Sequence, residues 1–80
     1  MKRFYIYAGT AEQAKNLARD MLLEPNEWSY VLNVEKLMGV EKKPLLMCGT
    51  WRDREDIANL EYVANARQMK FFYINRGVKL

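Results

Sequence analysis

The sequence predicts a small three-layer α/β domain, and three observations predict it. Eighty residues, half of them apolar, make one domain with a real but modest core. Short apolar runs alternate with segments whose apolar residues recur at helical spacing. One unit, a strand followed by Gly-Thr and a helix, occurs twice, at Gly9-Thr10 and at Gly49-Thr50.

The first strand reads from Arg3 to Ala8, where Phe4, Tyr5, Ile6 and Tyr7 follow without alternation, as in a strand covered on both faces. Gly9 breaks it. Thr10 is a natural N-cap and Gln13 completes a capping box. Ala14, Leu17, Ala18, Met21 and Leu22 then give one apolar helical stripe, ended by Glu24-Pro25-Asn26. Trp28 to Leu32 is a short second strand. Asn33 caps a single helical turn over Val34 to Met38, with Gly39 as its stop, and Glu41 to Pro44 is a charged connector. Leu45 to Cys48, apolar and uncharged, is a central third strand. In the second helix Asp53 with Asp56, or Thr50 with Asp53, forms the capping pair. Asp53 is the preferred cap, because Ile57, Leu60, Ala64 and Val63 then supply the buried stripe up to about Gln68. Lys70 to Ile74 is the fourth strand and Asn75 to Leu80 a tail.

Strands separated by helices pair in parallel through right-handed crossovers. The economical arrangement is a flavodoxin-like, Rossmann-like sheet of four mainly parallel strands in the order 2-1-3-4. The short link between strands two and three is its weakest step. A ferredoxin-like α+β fold is the alternative, and would need those two strands to form an antiparallel hairpin.

Composition excludes several chemistries. Cys48 is the single cysteine, so no internal disulfide forms, and with no histidine the commonest base and metal ligand is missing. The apolar run after Lys2-Arg3 is too short for a signal peptide, and no stretch approaches a bilayer span, so a cytoplasmic location and no membrane contact are expected. The net charge of +3 lies wholly in residues 41–80, which hold eight basic and five acidic side chains. That surplus is too small and too mixed with acids to predict nucleic-acid binding.

In a 2-1-3-4 sheet the two Gly-Thr turns face each other at the switch point, where open α/β sheets bind ligands. Gly9, Thr10, Gly49, Thr50, Trp51, Arg52 and Arg54 are therefore the candidate ligand-binding residues. Glycine permits close backbone approach, helix starts offer N–H groups to anions, and the arginines suit phosphate or carboxylate. Asp53, Glu55 and Asp56 offset the arginines, and read as cap and solvated face rather than as a metal site. Neither turn has the multi-glycine spacing of a nucleotide fingerprint. Trp51 is either folded over the third strand or packed at Leu37, or else a stacking platform or interface anchor. Trp28 and Tyr30 read as core or edge aromatics, and Cys48 as a structural thiol.

The run Phe71-Phe72-Tyr73 falls on a sheet edge, flanked by Lys70 and Arg76. Trp51, Phe71 and Tyr73 are the interface candidates, for a homodimer through the last strand or for a partner's strand added to it.

These residues resemble a loose group of small, uncharacterised bacteriophage proteins of Rossmann-like build. The shared features are Gly9-Thr10, Trp28-Ser29-Tyr30, Leu37-Met38-Gly39, and Gly49-Thr50-Trp51 followed by Arg54 and Asp56. They span nearly the whole chain, although Glu41-Lys42-Lys43 departs from the group's more compact link. The resemblance implies the fold and a phage origin, and it transfers no catalytic residue. No nucleophile–base pair or metal constellation is visible, so the expected function is a non-enzymatic binding protein without cofactor, engaging a host protein. Binding of a nucleotide or phosphorylated small molecule at the switch point is the alternative.

Overall fold

The computed structural model describes residues 3–37 and 42–74. The strands are β1 (Phe4–Ala8), β2 (Trp28–Tyr30), β3 (Leu45–Cys48) and β4 (Phe71–Ile74). They form one sheet in the order β2-β1-β3-β4, with every ladder parallel. Ile6 lies between Tyr30 and Leu46, and Leu46 in turn lies beside Phe72. β2 and β3 are not neighbours, which removes the ferredoxin-like alternative. The helices are α1 (Ala11–Asp20) and α2 (Ile57–Ala66), and short 3₁₀ turns occupy Val34–Leu37 and Trp51–Asp53.

Strand alternation sends side chains to two helical layers. Tyr7, Leu45 and Met47 pack with Leu60 and Ala64 of α2 and with Val31, Val34 and Leu37. Ile6, Ala8, Leu46 and Cys48 pack with Ala14, Leu17 and Ala18 of α1. All four residues of β3 are buried, as a strand covered on both faces must be. Cys48 is among them, a structural thiol whose burial pushes its pKa up to about 11.

The helix ends differ from the sequence expectation, each for an identifiable structural reason. Thr10 caps α1 as expected, its hydroxyl oxygen accepting from Gln13 N at 3.1 Å. The stripe, however, stops before Leu22, which takes φ +58° and is 87% exposed. Leu23 N bonds back to Ala18 O at 2.9 Å, so Leu23 and not Leu22 returns to the core. α2 ends in the same way, with Gln68 at φ +58° and Met69 N bonded to Ala64 O at 2.9 Å. It therefore stops at Ala66, short of Gln68.

α2 also starts later than Asp53. Trp51–Asp53 closes its own turn, and Arg54 is extended, with ψ 139°, which interrupts the helical path. Asp56 takes the cap position, but its carboxylate is turned elsewhere. β2 ends at Tyr30 rather than Leu32, since Leu32 N folds back onto Tyr30 O. The expected end of the turn at Met38, the Gly39 stop, the first connector residue Glu41, and the Asn75–Leu80 tail lie outside the described residues.

A bulky side chain at positive φ carries a backbone penalty. Leu22→Gly is expected to raise unfolding stability by about 0.5–1 kcal/mol, because relief of that strain outweighs glycine's chain entropy. Leu22→Val is expected to lower it. Urea titration followed by circular dichroism measures both.

Candidate functional site

The two Gly-Thr turns meet at the carboxyl end of the sheet, but they meet in contact. A Cβ on Gly9 would lie 2.0 Å from the Thr50 hydroxyl oxygen. Gly49 has φ +63°, and a Cβ there would lie 2.2 Å from Gln13 Oε1. One glycine is needed for close approach and the other for its backbone conformation as well. Between the turns lies Gln13. Its amide does not return to Thr10 to complete the capping box. It crosses to the second turn, where Oε1 accepts from Thr50 N at 3.0 Å and from the Thr50 hydroxyl at 3.3 Å. The Thr50 N–H, a donor that an anion would use, is thus taken by the fold.

Arg54 is the second occupant of the switch point. Its side chain is 12% exposed. Nε donates to Asp56 Oδ1 at 3.0 Å, and Nη2 to Asp56 Oδ2 at 2.8 Å. Nη1 donates to Ala8 O at 3.1 Å and Val31 O at 2.6 Å, and Nη2 also to Leu32 O at 2.8 Å. Every guanidinium N–H is used. The guanidinium carbon lies 4.1 Å from the Tyr7 ring centre and 5.7 Å from that of Tyr30. The Tyr7 hydroxyl donates to Asp56 Oδ1 and the Tyr30 hydroxyl to Ala8 O at 3.4 Å. Burial first, then the bond to Asp56, hold the Tyr7 hydroxyl pKa well above its ordinary value of 10.0.

The remaining candidates form a separate surface. Trp51 is half-buried against the α2-side core, and its ring lies 5.4 Å from that of Tyr73. Phe71 and Tyr73 stack at 6.3 Å. Arg52 is exposed and lays its guanidinium 4.5 Å over the Trp51 ring. Tyr73 is 61% exposed, and Phe72, on the opposite face of the same strand, is 47% exposed.

The candidates therefore sort into two sets. Gly9, Thr10, Gly49, Thr50 and Arg54 converge at the switch point, engaged with Gln13, Asp56 and strand carbonyls. Trp51, Arg52, Phe71 and Tyr73 gather at the β4 edge. Trp51 packs on the α2-side core, as its structural reading expected, and its ring lies beside that of Tyr73. Gln13 and Phe72 were not among the sequence candidates. Phe72 had a signal, as the middle aromatic of the edge run. Gln13 had none beyond its local capping role. A shallow groove of about 440 Å³ between the Val34–Leu37 turn and α2 was also missed; its floor is the core valines Val34 and Val63, and its polar rim includes Asn33, Asp56 and Asn59. Among the described residues no group of three His, Cys, Asp or Glu is placed to hold a metal ion. Nor is any helix among them long and apolar enough to cross a membrane.

Comparison with protein-family models, curated proteins and solved structures found no match.

Removing Arg54 strands the Asp56 carboxylate and several carbonyls together. Arg54→Ala is expected to cost about 3 kcal/mol, and Arg54→Lys a large part of that, because an ammonium cannot reproduce the planar fork. Urea denaturation of both variants measures the loss. Stability is also expected to fall above neutral pH. The unfolded thiol titrates near 9.0 and the unfolded phenol near 10.0, whereas both groups stay protonated to higher pH in the fold. Their contribution is complete below about pH 9 and drains away as pH rises towards and past 11. Melting temperature followed from pH 7 to pH 11 checks the sign.

Proposed function

We propose that the chain is a non-enzymatic binding protein that engages another protein through the β4 edge and the aromatic surface beside it. The observation that carries this reading is the division of polar and aromatic groups. The Thr50 and Arg54 donors at the switch point are engaged within the fold, while Tyr73, Phe72, Trp51 and Arg52 present aromatic and cationic surface at the terminal strand of the sheet. Tryptophan, tyrosine and arginine are the residues on which binding energy concentrates. An edge strand adds main-chain hydrogen bonds to whatever lies beside it. The resemblance to small phage proteins makes a host protein, met in the host cytoplasm, the first partner to seek.

The second reading is a nucleotide or phosphorylated small molecule at the switch point. The sheet order favours it, because the carboxyl ends of β1 and β3 are where such ligands bind in open α/β sheets. The ligand would have to displace Gln13 from Thr50, and Arg54 from the strand carbonyls.

Affinity capture from host lysate separates the two readings. Arg52→Glu and Tyr73→Ser are expected to lose a specific partner at least tenfold, with unchanged circular dichroism. Capture equal to wild type would remove the first reading. For the second, a melting temperature that climbs with the concentration of one nucleotide, and not with inorganic phosphate, would be the positive result.

A further inference from the structure

β4 is the terminal strand of the sheet, and its outer side has no strand partner among the described residues. Leu45 N donates to Lys70 O at 2.8 Å. In a parallel ladder this phase turns the main chain of Phe72 inward to β3 as well. The outward N–H and C=O groups therefore belong to Phe71 and Tyr73. Their side chains share the α2 face, whereas Phe72 and Ile74 share the other.

This pattern is self-complementary. We infer that β4 pairs with β4 of a second copy, antiparallel, about a two-fold axis through Phe72; the inference rests on the reading of this edge as a protein-contact surface. In that register Phe71 of each copy exchanges both main-chain hydrogen bonds with Tyr73 of the other, and Phe72 meets Phe72 in the close, non-bonded position. A two-fold axis normal to the sheet keeps the faces matched. Phe71 and Tyr73 of both copies then meet on the α2 side beside Trp51, and the two Phe72 rings meet on the α1 side. Aromatic cross-strand pairs of this kind stabilise sheets.

Charge favours the same occupant. Phe71–Ile74 carries no charge, so the pairing brings no like charges face to face. Lys70, the flanking guard, falls opposite Ile74 of the second copy rather than opposite a cation. The area sets the strength. Tyr73 and Phe72 are 61% and 47% exposed, so two copies together cover roughly 400 Å² of aromatic surface plus two short backbones. That lies well below the ~1,200 Å² of a stable interface. The dimer is therefore weak and concentration-dependent. At low concentration the edge is open to another partner.

Phe72→Cys tests the register, since Cα atoms in a non-bonded antiparallel pair stand about 4.5 Å apart, within disulfide range. Under oxidised glutathione, Phe72→Cys is expected to form a covalent dimer and Tyr73→Cys is not. Wild type is the blank, because its one thiol is buried. Light scattering of the reduced wild type is expected to rise from 9.5 kDa towards twice that mass as concentration increases. Tyr73→Pro, which deletes an outward N–H that β3 does not use, is expected to stay monomeric with unchanged circular dichroism. Three results would overturn the inference: a monomer at every concentration, a dimer that survives Tyr73→Pro, or cross-linking of Tyr73→Cys in preference to Phe72→Cys. None of these touches the broader reading, which fails only if partner capture ignores Arg52 and Tyr73.

Discussion

The fold turns on one side chain. A parallel sheet ends several strands at one edge, and the carbonyls there have outrun their ladders and need donors. Arg54 supplies them to Ala8 at the end of β1 and to Val31 and Leu32 just past β2. The same guanidinium grips Asp56 at the start of α2 and lies on Tyr7. Three chain segments are held by one group. β2 has three residues and lies at an edge, so its own ladder gives it little hold. Arginine suits the position, because its charge is delocalised and weakly hydrated and its donors are fixed in a plane. The interaction is charge-assisted at Asp56 and fully satisfied, the condition under which a buried polar network supports a small core.

That solution has a functional consequence. The Thr50 N–H and the Arg54 guanidinium at the switch point are committed to holding strand ends and turns together. The asymmetry of the two sheet edges follows. At β2 the half-buried Trp28 and Tyr30 pack with the α1-side core, and Arg54 covers the strand's end. At β4 two of the four residues are exposed, and both are aromatic. An edge strand with two exposed aromatic residues is an uncommon arrangement that natural sheets usually guard against.

What the sequence made legible was local or combinatorial. Leu45–Cys48 reads as a buried strand from its composition alone, and the strand order follows from two β-α-β units and the handedness of crossovers. Thr10 caps as its position demands. The start of α2 was not legible, because Thr50, Asp53 and Asp56 are all good caps. The choice is made by Arg54, whose extended backbone depends on carbonyls that lie 46, 23 and 22 residues away. Gln13 behaves similarly. Locally it completes a capping box, yet its amide finds Thr50, 37 residues on. Leu22 fits the helical stripe by spacing, and only the left-handed end of the helix removes it from the core. In each case a tertiary or terminal geometry overrode a sound local pattern.

The Gly49–Arg54 segment shows how these facts combine. It is anchored at one end by Thr50 to Gln13 and at the other by Arg54 to the strand carbonyls. Between the anchors the 3₁₀ turn lifts Trp51 and Arg52 away from the switch point and towards β4. A contact surface on a segment tied at both ends loses little freedom on binding, and ordering side chains and loops is one of the larger costs of association. The second Gly-Thr turn thus differs from the first in what it supports rather than in how it is built. The first carries only helix-surface residues beyond its threonine. The second holds an aromatic ring and its cation in a fixed position beside a strand whose outward main-chain groups are unpaired within the sheet. The inward residues of this segment complete the fold, and its outward residues, Trp51 and Arg52, stand beside β4.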